Sequence, residues 1–350
     1  MRRARLAPPV FATVPEYGAR LGDTGFWAPY VAEVLARHGL PAAPAEVGAV
    51  GTMPTFLVGR YVVKLFGELF SGGTGFEVER SAHRLLLRHC EIPTAALVAE
   101  GRLFTEGWPW PYLITTRLSG SAWRTAALGP GDRKSLARQL GWVVRRMHDL
   151  PPPAGRLWKR DWLAEFRADC VDRHRRWGTL PGHLVDQIEA YVVAPSPVRR
   201  LVHADLHADH LFVAGADLVG VIDWGDALVA DPYYELPAMH LDTFGWSKPL
   251  LAAFLEGYGW EVTADFARRA MSMTLLHRFD VLRGVGQAVD LNAVRTLDEL
   301  ADFLWDRTTP GVDRLSMRCA QNDNLWHGDG PLAGRPSSSR RFGRRSRRGG

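Results

Sequence analysis

The segment LVHADLHADHLFV at residues 201–213 sets His203, Asp205, His207, Asp209 and His210 within eight residues, between apolar runs. So many titratable groups beside a core are expensive to hold unless the segment does chemistry. Downstream, LVGVIDWGDA brings Asp223 to the end of a β-rich run, 18 residues after Asp205. Two carboxylates at neighbouring strand ends suit a division of labour. One accepts or orients the proton of an attacking hydroxyl, while the other holds a divalent cation that bridges nucleotide phosphates. Either acid alone would read as a turn residue capping a strand.

A third charged group strengthens the pattern. The chain has four lysines (64, 134, 159 and 248), and one of them, Lys64, lies inside the apolar strand-like run VVKLF. An ammonium there is unfavourable unless it is paired. Strand alternation points it away from the side that takes Val63 and Leu65, and a compact cation in a cleft suits phosphate oxygens. An edge-strand lysine facing water would explain the residue equally well if it stood alone. The following helical pattern, FEVERSAHRLLLRH, carries an apolar stripe of Val78, Ala82, Leu85 and Leu86. Glu79 lies nearer that stripe than Glu77, so it is the acid placed to pair with Lys64; Glu77 reads as a solvated face residue. A competing chemistry is a 2-His-1-carboxylate iron site built on His203-x-Asp205 and a distant histidine. Such sites sit among many short strands, whereas the flanking sequence here is largely helical, and no nearby cysteine supports a zinc site.

These groups need elements to hold them. WAPYVAEVLARHGL has helical spacing and is expected to stop at Pro41 and Pro44. GAVGTMPTFLVGRYVVKLF reads as a β-hairpin turning near Gly59 and Arg60, followed by a polar loop and the helix bearing Glu79. Two strand-like runs follow, at 96–99 and 112–116, then a helix over 131–150 whose stripe is Leu136, Leu140, Val143, Val144 and Met147. The remainder is mostly helical, interrupted by strand-like pieces at 200–202 with 211–213, and at 218–222. The fold class expected is α+β with two unequal lobes and a cleft between them. The divisions are a helical extension at 1–45, a β-rich nucleotide-binding lobe at 46–118, a helical catalytic and substrate lobe at 119–308, and a tail at 309–350.

Composition excludes other classes. Of the formal charge of +5, the last twenty residues carry seven arginines and no acid, which leaves −2 for the rest. The folded part therefore requires no nucleic acid, and the Ser/Gly/Arg-rich tail is expected to be disordered and unbound. No apolar run approaches the ~20 residues of a membrane span. The basic start MRRARLAPPVFATV has its short apolar stretch interrupted by Pro8 and Pro9, so secretion is not expected. Cys90, Cys170 and Cys319 are scattered, as free thiols in a reducing cytoplasm would be.

Taken in order, these motifs resemble the aminoglycoside phosphotransferases of the protein-kinase-like superfamily. The family's H-x-D-x-x-x-x-N loop is matched by His203-Ala-Asp205 through to His210, and its I-D-x-x-[DE] run by Ile222-Asp223-Trp224-Gly225-Asp226. The similarity runs from about residue 25 to 306, through VVKLFGE, WPWPYLITTRLSGSAWR, LHRFDVL and DELADFLW. It is nearest to the members that phosphorylate hygromycin B. The resemblance implies transfer of the γ-phosphate of ATP or GTP, with Mg²⁺ or Mn²⁺, to a hydroxyl of a small cationic antibiotic, giving resistance. Lys64 and Glu79 would serve the phosphates, and Gly51, Thr52 and Thr55 would form the loop over them. Thr115, Arg117 and Leu118 would border the base. Asp205 would be the catalytic base, with His203 in the same motif, and Asp223 a metal ligand. His210 departs from the family's usual asparagine; imidazole suits Mn²⁺ or Zn²⁺ better than Mg²⁺.

Asp226, Asp231, Glu235 and Asp242 are expected to line a negative pocket that steers a cationic acceptor; singly, each reads as a cap or surface charge. Trp123 or Trp224 could stack on a sugar ring, although core packing is the commoner fate of a tryptophan. Two other functions remain open: a kinase of the same fold acting on another hydroxyl metabolite, and a nucleotide-binding pseudokinase.

Overall fold

A computed structural model describes residues 6–48 and 51–306; Cys319 and the arginine-rich tail lie outside the described residues. The chain opens with α1 (Val14–Gly18) and α2 (Thr24–Arg37), followed by β1 (Ala45–Val47), β2 (Thr55–Val58) and β3 (Tyr61–Leu65). Then come α3 (Gly72–Leu86), β4 (Leu97–Arg102) and β5 (Pro111–Thr116). These strands form one antiparallel sheet in the order β1-β2-β3-β5-β4, which puts β3 in the middle. The β2–β3 turn falls at Gly59, whose φ of 58° is the left-handed conformation that glycine adopts without steric cost.

Alternation along β3 decides what each sheet face does. Tyr61, Val63 and Leu65 bury against Trp27, Val31 and other apolar side chains of the N-terminal segment. Lys64 points the opposite way, between Thr55 of β2 and Leu113 of β5, on the side covered by α3. The expected helix stop at Pro41 and Pro44 comes earlier, at Arg37, and Gly39 then turns with φ 62°.

After residue 118 the chain becomes mainly helical. β6 (Ser121–Ala122) leads to α4 (Pro130–His148), and the expected stripe on α4 is buried. The helix Lys248–Tyr258 packs along α4 at very close range. A Cβ at Gly141 would lie 2.1 Å from the carbonyl oxygen of Phe254, and one at Gly257 2.0 Å from that of Arg138. Four more short strands follow α4: β7 (Arg200–Val202), β8 (Leu211–Ala214), β9 (Asp217–Val221) and β10 (Leu228–Ala230). The expected partnership of β7 with β8 is corrected: β7 pairs with β10, and β8 pairs with β6 and β9. The eight residues between β7 and β8 are thus free to form a loop at the cleft. Among the described residues, no helix is long and apolar enough to cross a membrane.

The connection between the lobes is tightly seated. The Arg117 amide donates to the Arg60 carbonyl at 2.8 Å. Leu118 lies over Gly220 of β9, where a Cβ would come within 2.2 Å of its side chain.

Candidate active site

Lys64 joins the two lobes. Its Nζ donates to Glu79 Oε2 on α3 and to Asp223 Oδ1 of the helical lobe, each at 2.7 Å. Burial alone would lower the ammonium's pKa. The carboxylates of Asp223 and Glu79 overturn that and hold it above its ordinary range. Glu79 is pushed up to about 7, chiefly by burial, against the pull of Lys64. Asp223 stays ionised: its pKa falls despite burial, with Lys64 the main opposing cause. Glu77, read as a solvated face residue, is partly exposed and ion-pairs with Arg80 and Arg102.

The loop between β7 and β8 is irregular, and buried groups hold it from beneath. The Glu235 carboxylate accepts the backbone N–H groups of His203 and Ala204, at 2.8 and 3.0 Å. His277 Nε2 donates to the Ala204 carbonyl at 3.2 Å. Ala204 is therefore fixed at both its polar backbone atoms, in a left-handed conformation with φ 66°. Asp223 is also left-handed, at φ 61°. Two non-glycine residues in this region beside a cleft mark a backbone held against its preference by its surroundings.

The histidines have assigned tasks. His203 is fully buried, donates from Nε2 to the Ile222 carbonyl at 2.9 Å and accepts the Asp205 N–H on Nδ1 at 3.3 Å. Both ring nitrogens are used, so the iron site built on His203-x-Asp205 does not form. His210 donates from Nδ1 to the Asp205 carbonyl at 2.8 Å, which leaves the lone pair on Nε2, 3.6 Å from Asp223 Oδ2. Burial, and next the neighbouring His207, lowers its pKa to about 4, so it is neutral. The His207 and His210 rings lie against each other with centroids 3.7 Å apart and their planes inclined by 38°. Burial opposes its charge, but Asp205, Asp209 and Asp242 raise its pKa to about 9. Asp205 is lowered against burial, first by His207 and then by the other two histidines, and so stands as a carboxylate.

Asp223 Oδ2 and the Nε2 lone pair of His210 form an oxygen–nitrogen donor pair at one edge of the cleft. This pair fits a divalent cation, and its mixed character suits Mn²⁺ as well as Mg²⁺. Asp205, His207 and His210 also bring ligand atoms within 4.8 Å of one another.

The remaining expected site residues separate. Thr55 lies on β2 opposite Lys64, and Gly51 and Thr52 lie in the turn before it. Thr115 sits in β5 between β3 and β4, whereas the Arg117 side chain lies at the surface, 3.6 Å from Glu46. The acidic acceptor pocket is corrected. Asp231 is buried and accepts the N–H groups of Ser196 and Tyr233 at 2.6 and 3.0 Å. Glu235 is buried beneath the loop. Asp242 accepts the Ala208 N–H at 2.8 Å and pairs with Arg124 at 2.9 Å. Asp226 is half-buried and ion-paired with Arg278. Trp123 and Trp224 are core residues with 2% and 0% exposure. Sequence reasoning missed Arg124, which grips Asp209 through Nε at 2.8 and 2.9 Å and Asp242 through an outer nitrogen. An arginine among thirty-nine carries no distinguishing signal.

Residues 57–272 match the sequence model of a family described as phosphotransferase enzymes. Solved structures with a similar fold include the GDP complex of aminoglycoside 2′-phosphotransferase-IIIa, 18% identical, covering 74% of this chain and 90% of that one, with a TM-score of 0.55. The GDP and kanamycin complex of APH(2″)-IIIa is 20% identical, with coverage of 73% and 91% and a TM-score of 0.58. The aminoglycoside phosphotransferase APH(3″)-Id of Streptomyces rimosus is 21% identical, with coverage of 73% and 97% and a TM-score of 0.52. A curated relative, lysine-specific demethylase JMJ21 of Arabidopsis thaliana, is 24% identical over 56% of this chain, and the match spans only 28% of its own length.

Proposed function

The chain belongs to the phosphotransferase enzyme family, and from that premise we propose that it moves the γ-phosphate of ATP or GTP to a hydroxyl of an aminoglycoside-type antibiotic, hygromycin B-like in the first instance. The observation that carries this reading is the Glu79–Lys64–Asp223 chain across the cleft, with ionised Asp205 on the adjoining loop. The lobe at 46–118 would hold the nucleotide, Lys64 contacting phosphate oxygens while Glu79 fixes its direction. The acceptor O–H loses its proton to Asp205 as its oxygen bonds to the γ-phosphorus. The bond from that phosphorus to the β,γ-bridging oxygen breaks, and the nucleoside diphosphate carries the electron pair away. His203 acts through the backbone, tying the Asp205 loop to Ile222 next to Asp223. Asp223 and His210 would hold a divalent cation, which when bound supplies positive charge to the phosphates. Fixed placement of this kind supplies about 7–11 kcal/mol of barrier reduction in favourable cases.

A second reading has one observation in its favour. Of the four acids expected to attract a cationic acceptor, three are occupied inside the protein and the fourth is neutralised by Arg278. A kinase of this family acting on an uncharged hydroxyl metabolite accounts for that distribution. The test is phosphate transfer from γ-labelled ATP and GTP to a panel spanning hygromycin B, other aminoglycosides and neutral sugars, with Asp205→Asn as control. Transfer to an aminoglycoside that vanishes in the variant upholds the first reading. Transfer to neutral acceptors alone upholds the second, and no turnover with intact nucleotide binding defeats both.

A further inference from the structure

Residues 1–45 read from the sequence as an extension apart from the chemistry, yet one side chain of this segment reaches the turn that precedes β2. Thr13 caps α1 in reciprocal fashion: its hydroxyl accepts the Glu16 N–H while the Glu16 carboxylate accepts its own amide. That short helix aims Tyr17 inward, where it is 1% exposed. Its hydroxyl donates to the Thr52 carbonyl at 2.8 Å and lies 3.8 Å from the sulfur of Met53. Its ring is wedged against the turn leading into α3. A Cβ at Gly67 would meet the hydroxyl at 2.8 Å, and the Phe70 ring lies 5.9 Å away. Burial raises the phenol's pKa, so the hydroxyl remains a donor at any physiological pH.

A trans peptide carries its C=O and N–H on opposite sides. Holding the Thr52 carbonyl toward Tyr17 therefore turns the Met53 N–H away from the N-terminal segment. We infer that Tyr17 is a positioning residue for nucleotide binding: it fixes the Thr52–Met53 peptide so that its N–H faces the phosphates, which makes the N-terminal segment part of the nucleotide site. The inference rests on residues 51–55 forming the phosphate loop.

The test is titration of the full chain with a fluorescent ATP or GTP analogue in wild type, Tyr17→Phe, Phe11→Leu and Lys64→Ala. Tyr17→Phe keeps the ring and removes only the donor, so nucleotide affinity should fall about three- to ten-fold, the usual effect of one hydrogen bond, with the acceptor KM unchanged. Phe11 packs edge-on against the Tyr17 ring at 5.4 Å, so Phe11→Leu should lower Tm and leave affinity intact. Wild-type affinity in Tyr17→Phe alongside weakened binding in Lys64→Ala overturns the inference and leaves the site standing. Wild-type affinity in both variants overturns the site reading and the inference with it. Should Tyr17→Phe fail to fold, Met53→Pro decides: it removes the same N–H, and unchanged affinity there overturns the inference.

Discussion

Lys64 and Asp205 face one cleft from backbones of opposite kinds. Lys64 stands on the central strand of a five-stranded sheet, and its partner Glu79 on a fifteen-residue helix. Their positions follow from regular hydrogen bonding, and the two side chains need only reach each other. Asp205 stands on a loop without repeating structure, beside a left-handed alanine. Its position is set by side chains from distant segments: Glu235 and His277 beneath Ala204, and Asp242 on the Ala208 amide. A charge on a regular element is thus positioned by local sequence, whereas a charge on such a loop is positioned by buried polar groups whose purpose is purely internal.

The largest effect expected is at the end of that second chain. Asp205→Asn keeps the shape of the loop and removes the proposed proton acceptor, so kcat should drop by about 10²–10⁴-fold, with nucleotide affinity and Tm near wild type. Steady-state kinetics alongside nucleotide titration checks this. Equal loss of nucleotide affinity would mean that Asp205 holds the loop together and does not act at the acceptor.

The next prediction breaks the loop's support without touching reacting groups. Glu235→Gln replaces one acceptor oxygen with a donor, leaving a buried backbone N–H of His203 or Ala204 unmatched. An orphaned buried donor costs about 1–3 kcal/mol, to be read as a lower denaturant midpoint at unchanged m-value. The kcat should fall as well, because the loop carries Asp205. By contrast, Glu79→Gln should chiefly raise the nucleotide KM, since its partner Lys64 stays anchored by Asp223 at 2.7 Å. If both variants behaved alike, the distinction between the two halves would fail.

A smaller effect is expected at His210. His210→Asn exchanges an imidazole lone pair for an amide oxygen next to Asp223, a change toward harder donors. The ratio of Mg²⁺-supported to Mn²⁺-supported kcat/KM should rise several-fold, and Mn²⁺ affinity, measured by electron paramagnetic resonance with nucleotide present, should fall in parallel. An unchanged Mn²⁺ affinity would remove His210 from the metal's coordination.

The same contrast explains what the sequence disclosed. Lys64 and Glu79 were legible because an isolated lysine breaks an apolar strand and helical periodicity ranks Glu79 above Glu77. The density of the 203–210 segment marked it as a candidate site, and the hairpin, the α4 stripe and the two-lobed α+β class followed from period and turn residues. The acids beyond the loop misled, because sequence records that Asp231, Glu235 and Asp242 are charged but not whether a backbone amide already satisfies them. Pairing of β7 with β10 was hidden for a related reason, since three-residue strands carry too little period to select a partner. Tyr17 was invisible because its partner is a backbone carbonyl, which every residue has.

The mildest prediction concerns charge within the loop half alone. His207 has a folded pKa near 9 against an ordinary 6.5, so the folded chain retains a proton that the unfolded chain releases in that interval. Its contribution to stability is complete below 6.5 and is lost as pH rises toward 9 and beyond. The groups facing it are Asp205, Asp209, Asp242 and the adjacent ring of His210. Melting temperature of the chain without nucleotide should therefore decline between pH 6.5 and 9.5, and His207→Gln should flatten that part of the curve. Glu79, raised by burial to about 7, adds a decline of the same sign at lower pH, between 4.5 and 7, which His207→Gln leaves in place. Two declines separable by one substitution would place a titrating group in each half of the site. A His207→Gln profile parallel to wild type above pH 7 would mean that the imidazolium is not held by the loop's carboxylates.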